Sequence, residues 1–456
     1  MKTIWLVDAT SYVKSIDTEL LRIKQDYFRI KYYVREKVIG NHVLPTQRTF
    51  STGLLRIATL LNRQGYDVRY FHMNDYVEKD IGEGLNNEKP YLVAFGCVCP
   101  TIPVCDRLAR QVKEYNSEII TAVGGAHINV ALELTKKRYT SFDRYVYGYD
   151  KEAASRLIGN SVRDDIDYDP YVDYSLLPYP LNEYDINIFT TLGCPFKCAY
   201  CQDGQMPYYE YLEDGGLNQI QKIIEPYKLV HFFDSTLGCG EDRIIRICDA
   251  LKRIGHKCIL SCDLRAEFIS ERTINALENA GFKEIRIGLE TVDKAVLKQN
   301  NRKVLPEEIM GKIDIVRNNS GIYLTLYTVS GLPGFTLDTY KRNKEAFEFL
   351  LESRKVDEIK NAQYVPYPRD GLDFRQRGII IKNDDWECYD RQSYPVYETR
   401  ELTQQEIWNE YLDTARTINA AWLKGGKIQS IDELSSRQIY PEYIVGNYLG
   451  RSGRHE

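Results

Sequence analysis

Short apolar runs alternate with helix-like spacers along most of this chain, and they come in two series. The first is TIWLVDA (3–9), DVRYFHM (67–73), YLVAFGCV (91–98), IITAVGG (119–125) and RYVYG (144–148). Between them, TGLLRIATLLNRQG (52–65), CDRLARQVKEY (105–115) and AHINVALELTKK (126–137) repeat apolar residues at three- and four-residue steps, as an amphipathic helix does. Strands that are each followed by a helix pack naturally as a parallel sheet covered on both faces. A doubly wound, Rossmann- or flavodoxin-like α/β domain is therefore expected over 1–160. The stretch 11–50 is long for a connection and is expected to be a helical insertion or a lid.

Residues 161–184, SVRDDIDYDPYVDYSLLPYPLNEY from Ser161, are rich in acids and prolines and lack periodicity, which marks a linker. The second series then begins: INIFTTLG (186–193), LVHFFDST (229–236), CILSCDL (258–264), EIRIGLE (284–290), IYLTLYTVSG (322–331) and EIKNAQYVPY (358–367). Helical spacers such as DRIIRICDALKRIG (242–255) and SERTINALENAG (270–281) separate them. Repeated β/α units predict a partial or full TIM-like barrel over 185–369, with working residues at the C-terminal ends of the strands. Residues 370–456 are expected to be a small, mostly helical segment closing the barrel mouth.

A net charge of -5 argues against a nucleic-acid surface, which needs clustered Lys and Arg. The basic stretch RIKQDYFRIKYYVREK (22–37) has interleaved acids and reads as a solvated helix face. No apolar run is long enough to span a bilayer and no cleavable signal is evident, so a cytoplasmic protein without a membrane partner is expected. In that reducing compartment, a tight group among eleven cysteines means metal or catalysis rather than a disulfide framework.

That group is TLGCPFKCAYCQDG (191–204): Cys194, Cys198 and Cys201, spaced C-x3-C-x2-C on the loop leaving the first strand of the second series. Thiolates bind soft metals, and a 4Fe–4S cube takes one ligand per iron. Three cysteines therefore leave one iron open for chemistry. The competing reading is a structural zinc completed by Cys239, His231 or Cys262, but zinc sites usually pair two C-x-x-C motifs and no second pair is present.

The pattern resembles the radical S-adenosylmethionine (SAM) enzymes over roughly residues 185–368. The resemblance implies that SAM chelates the open iron and is cleaved reductively to a 5′-deoxyadenosyl radical, which takes a hydrogen atom from substrate. It places Tyr200 near the adenine. Asp234 and Ser235 of FFDST are implied to lie near the methionine amino group, Arg265 of DLRAE near the carboxylate, and Glu290 of IGLET near the ribose or methionine end. The backbone at Gly331 and Pro333 of SGLPG would approach the adenine. Each of these residues has an alternative in strand-end packing or helix capping. YVPYPRDG (364–371) departs from the family's Pro-Gly-Thr turn through Arg369 and Asp370, a change expected to reshape the substrate mouth.

Residues 1–160 resemble the cobalamin-binding domain that precedes the barrel in one subgroup, on STGLLRIATLLNRQGYDV (51–68), YLVAFGC (91–97), AVGGAH (122–127) and YVYGYDKEA (145–153). Gly124 and Gly125 are implied to let the backbone approach a nucleotide tail. No D-x-H-x-x-G is present, and GCVC (96–99) and YGYDKE (147–152) depart from the usual pattern. His72 and His127 are candidate cobalt or tail contacts, set against ordinary strand-end and helix-start roles. The implied cofactors are a 4Fe–4S cluster, SAM and cobalamin, with an electron donor such as flavodoxin or ferredoxin. The leading expectation is methyl transfer to a polar small molecule, in an interdomain cavity that is tyrosine-rich and mildly acidic. The alternatives are a non-methylating dehydratase, epimerase or ring-forming enzyme with a vestigial first domain, and a non-catalytic metal- or nucleotide-binding protein.

Overall fold

The structure is a computed structural model. It describes residues 2–10, 17–40, 50–73, 80–162, 172–181, 184, 186–210, 220, 229–391 and 393–435. Residues 163–171 of the acidic linker and the polar C-terminal tail lie outside the described residues.

Strands β1 (Thr3–Asp8), β2 (Asp67–His72), β3 (Leu92–Gly96), β4 (Ile120–Gly124) and β5 (Arg144–Val146) form a parallel sheet in the order β2-β1-β3-β4-β5. The central strand LVAFG is buried at every position, as a strand covered on both faces must be. The helices of this part of the chain are α1 (Thr18–Ile39), α2 (Thr52–Arg63), α3 (Asp80–Asn87), α4 (Ile102–Tyr115), α5 (Leu132–Arg138) and α6 (Asp150–Ile158). Ser51 caps α2 by accepting the Leu54 N–H. The helix expected over 126–137 starts late, at Leu132. Residues 126–130 turn instead, and the Asn129 side chain there accepts the Gly148 N–H at 2.9 Å. Strand order reverses between β1 and β3, where sheets of this kind bind ligands.

The second sheet joins β6 (Ile186–Ile188) to β9 (Leu229–Phe232), β10 (Ile259–Leu264), β11 (Phe282–Glu290), β12 (Tyr323–Ser330) and β13 (Glu358–Gln363). All its pairs are parallel, in the order β13-β12-β11-β10-β9-β6. It is a partial barrel. Two short antiparallel strands, β7 (Thr191–Leu192) and β8 (Tyr209–Glu210), bracket the cysteine loop. No helix among the described residues is long and apolar enough to cross a membrane.

The C-terminal segment is less purely helical than expected. It pairs Ile379–Ile381 with Tyr397–Thr399 before the long helix Gln404–Gly426, which carries a Thr403/Glu406 capping box. It also docks on the first domain, through Trp386 against His127 at 5.0 Å and the Arg138–Asp384 ion pair at 2.8 Å. Asp370 makes a further tie. Its carboxylate accepts the Glu133 and Leu134 N–H groups at 2.9 and 3.0 Å, capping α5 from the barrel side. This gives the PRDG departure an interdomain role.

The basic stretch 22–37 overturns its expectation. It lies in α1, and part of that helix seals the barrel rather than facing solvent. Arg35, 7% exposed, pairs with Glu284 of β11 at 2.6 Å, and Lys31 pairs with Glu358 of β13 at 2.8 Å. Burial alone would raise the Glu284 carboxyl, but Arg286 and Arg35 hold it far below the usual range. Arg286 bonds its other oxygen at 2.7 Å.

Candidate active site

The cysteine loop is launched by a buried carboxylate. Asp234, just past β9, accepts the Thr190 and Thr191 N–H groups at 2.7 and 2.8 Å and the Thr190 hydroxyl at 2.6 Å. Burial raises its carboxyl to about 6 despite those donors. Its oxygens thus hold the chain that enters the loop. Two residues beyond Thr191, Gly193 has φ +68°, and a Cβ there would sit 2.2 Å from the Pro207 carbonyl. Only glycine closes the loop this tightly.

Inside the loop the Cys194 N–H donates to the Asp203 carbonyl at 3.1 Å, and Lys197 Nζ donates to the Gly204 carbonyl at 2.7 Å. Outside it, the Ala199 N–H donates to the Asn300 carbonyl, Asn301 Nδ2 to the Lys197 carbonyl and Arg377 to the Ala199 carbonyl, at 2.9, 2.6 and 2.6 Å. The loop is therefore held from outside by two separate segments, at Asn300–Asn301 and at Arg377. Cys194 and Cys198 are buried at 7% exposure each, and Cys201 is half-buried. Burial pushes the Cys194 thiol up and Cys201 up to about 12.

Arg265 reaches this loop. Its guanidinium stacks over Phe196 at 3.7 Å, is held by Glu267, and places NH1 3.8 Å from Cys198 Sγ. Tyr200 lies near Glu290, and burial, then the charge of that carboxylate, disfavour ionisation of the tyrosine hydroxyl. Glu290 ends β11 in the left-handed region, φ +64°. Burial raises its carboxyl against the pull of Arg302, whose NH2 donates to the Gly288 carbonyl at 2.9 Å. Arg302 escaped sequence reading because its partner is set by the curl of the strand end. Ser235 donates to Asp203 at 2.7 Å. Cys198, Tyr200, Arg265 and Glu290 thus share one electrostatic cluster.

Gly331 and Pro333 lie slightly apart, in a turn whose carbonyls accept from Tyr397 Oη and Asn300 Nδ2 at 2.6 and 3.0 Å. Among the described residues, no three His, Cys, Asp or Glu side chains converge as donors to one metal ion do. Cys262 and His231 each fall elsewhere: Cys262 is sealed in the hydrophobic core, and His231 bonds Ser261 at 2.8 Å.

A cavity of about 560 Å³ separates the two sheets. From the first domain it is walled by Thr10, Ser51, Gly96, Gly124 and Gly125, at the strand ends beside the β1/β3 reversal. From the barrel it is walled by Phe189, Gly193, Asp203, Phe233 and Ser235. It is not tyrosine-rich as expected: among the described residues Tyr149 is the one tyrosine lining it, and its walls are mostly apolar. Of its acids, Asp150 pairs with Arg56 at 3.3 Å and Asp203 is bonded to Ser235. Gly124 and Gly125 both line it, although glycine at 125 is required on the other side. Its φ is +124°, and a Cβ would meet the Cys97 carbonyl at 2.2 Å. Neither His72 nor His127 lines the cavity. His72 bonds Tyr184 at 2.9 Å, and His127 is buried against Trp386.

Comparison with known proteins accords with this arrangement. Residues 188–346 match the family model of the Radical SAM superfamily, and residues 45–158 match that of the B12 binding domain. The chain is a radical SAM enzyme fused to a B12-binding domain. An uncharacterized methyltransferase of Pyrococcus horikoshii is 20% identical over 403 residues, covering 78% of this chain and 84% of that protein. The anaerobic magnesium-protoporphyrin IX monomethyl ester cyclase of Rubrivivax gelatinosus is 20% identical over 400 residues, covering 77% and 70%. Among solved structures, the radical S-adenosylmethionine methyltransferase TsrM from Kitasatospora setae, with cobalamin and a 4Fe–4S cluster bound, superposes with a TM-score of 0.63. The identity is 12%, over 92% of this chain and 91% of that one, so the likeness is one of fold.

Proposed function

We propose that this enzyme holds a 4Fe–4S cluster on Cys194, Cys198 and Cys201 and uses SAM, with cobalamin in the interdomain cavity, to methylate a polar small molecule. The observation that carries this reading is the three-cysteine loop set between the barrel mouth and that cavity. When bound, the cluster and cobalamin supply reductive cleavage of SAM to a 5′-deoxyadenosyl radical and a methyl group for transfer.

The chain's own residues support the reading by what they do to their surroundings. Arg265, with NH1 3.8 Å from Cys198 Sγ, sets a positive charge beside the loop that would hold the cluster. Tyr200, Glu290 and Arg302 form a buried polar group next to the loop, in which the Glu290 carboxylate is suited to accept the hydroxyl or ammonium donors of SAM. Asp234 and Ser235 act as positioning residues, holding the chain on either side of the loop. Phe189 and Phe233 keep the cavity wall dry on the barrel side, which limits quenching of a radical by solvent. Gly96, Gly124 and Ser51 present a low wall to a large planar ligand. A small protein donor, such as flavodoxin or ferredoxin, would deliver the electron.

The similarity to the R. gelatinosus cyclase favours a second reading, a ring-forming radical reaction without methyl transfer. One experiment separates them. The chain is purified without air from cells given hydroxocobalamin, assayed for iron, sulfide and corrin, then reduced in the presence of SAM. Bound iron–sulfur and formation of 5′-deoxyadenosine are expected, together with retained corrin. A colourless zinc protein would defeat both readings, and cluster without corrin would leave only the second.

A further inference from the structure

The barrel interior is strongly polar, and its charges do not cancel evenly. At the lower end, Glu284 and Glu358 are fully matched. Glu284 is gripped by Arg35 and Arg286, and Glu358 by Lys31, Tyr27 and Thr325. Higher up, side chains from neighbouring strands meet across the lumen. Arg286 NH1 lies 3.2 Å from His231 Nε2 and 3.4 Å from Tyr327 Oη, and His231 lies 3.7 Å from Asp263. Tyr327 pairs in register with Lys360 on β13, whose Nζ sits 5.3 Å over the Tyr327 ring.

Lys360 makes no ion pair or hydrogen bond among the described residues, and its Nζ stands over that ring. It is exposed by surface area, yet enclosed enough that burial lowers its ammonium to about 8. It shares a face of the sheet with Tyr327, Arg286 and Asp263, and so lines the barrel interior. Lys24 of α1 and Arg391 add positive charge beside it; burial, then the repulsion of Lys360, brings Lys24 down to about 7. Asp390 opposes Lys24, and Glu358, already matched below, opposes Lys360. The other charged neighbours of Lys360, Lys31 and Arg286, are cationic and committed to acids. This corner therefore carries surplus positive charge that burial and like charges both disfavour. At the upper rim Phe233 joins the two spaces: it lines the interdomain cavity, and its ring stands edge-on to His231 at 5.5 Å.

We infer that this corner seats an oxyanion of the substrate, a carboxylate or a phosphate, held by Lys360 with Lys24 and Arg391 beside it. The inference rests on the reading of the chain as a radical enzyme acting on a small molecule and narrows the substrate class to anionic compounds. An anchored oxyanion beneath Tyr327 leaves the remainder of the molecule directed at the mouth, where the cysteine loop and Glu290 stand. Binding adds negative charge beside lysines that are partly deprotonated near pH 8, so it takes up protons.

The test needs no electron donor, so its outcome is independent of whether SAM is cleaved. The full chain, cluster reconstituted and unreduced, is titrated calorimetrically at pH 8 with inorganic phosphate and, separately, with succinate. Two buffers of different ionisation enthalpy report proton uptake. Saturable binding of at least one probe with net uptake is expected; the tighter one identifies phosphate or carboxylate as the group. Lys360→Met should weaken it at least tenfold and Lys360→Arg by less than threefold, with Lys24→Met as a second loss on a different element. Circular dichroism checks that each variant is folded. Binding of neither probe, or equal binding by Lys360→Met and wild type, would overturn the inference.

Discussion

Replacing Asp370 with alanine probes the junction that seats the first domain over the barrel. The carboxylate accepts two N–H groups at the start of α5, from Glu133 and Leu134, at 2.9 and 3.0 Å. Loss of a helix-capping side chain costs about 1 kcal/mol. Loss of a negative charge at a helix N-terminus adds roughly 0.3–1 kcal/mol. The sum is about 1–2 kcal/mol, confined to α5 because solvent reaches the freed amides. Every ~1.4 kcal/mol is a tenfold change in an equilibrium. Hydrogen exchange of a peptide covering residues 131–138 should therefore quicken about five- to thirtyfold, with peptides from β9 to β12 unchanged. Asp370→Asn keeps an acceptor oxygen and loses the charge, so it should fall between the two. Unchanged protection of 131–138 in Asp370→Ala would refute the cap, as would equal loosening throughout the barrel.

Other consequences follow from buried groups elsewhere. Gly125→Ala brings a Cβ against the Cys97 carbonyl at a backbone angle that disfavours side chains, so the first domain should lose several kcal/mol or fail to fold, read by denaturant unfolding. His127, its ring held neutral by burial with a pKa of about 4, has a depressed folded-state value. Its contribution is fully present above the unfolded value near 6.5 and is lost as pH falls from there towards 4, by roughly 3 kcal/mol. His127→Leu should flatten that part of the stability–pH curve; an unchanged slope between pH 6.5 and 4 would contradict the assignment. Cys198→Ala should bind little iron and form no 5′-deoxyadenosine, while its melting temperature stays close to that of the wild-type apoprotein.

The alternating architecture was legible because each strand carries its own apolar signature within a few residues. The cysteine loop was legible for the same reason, since three ligands lie inside eight positions. What the sequence concealed is long-range. Arg35 and Lys31 meet Glu284 and Glu358 across more than two hundred residues, and nothing in the local pattern of 22–37 separates an inward cation from a solvated one. Asp234, read as facing SAM, has all its described hydrogen bonds to Thr190 and Thr191, partners that become neighbours only once β6 and β9 pair. Asp370 is likewise explained by a helix start in the other domain. The expectation of a tyrosine-rich cavity failed because composition does not say where side chains go. Buried tyrosines such as Tyr184, Tyr340 and Tyr397 are spent in the cores instead.

The central claim is that three thiolates hold a cube whose remaining iron takes SAM. Mössbauer spectroscopy of the anaerobically reconstituted, iron-57-enriched chain tests it directly, with and without SAM. The account predicts a 4Fe–4S signal in which one iron site alone changes its parameters when SAM is added. A cube indifferent to SAM, or iron spectra with no cube in them, would contradict it.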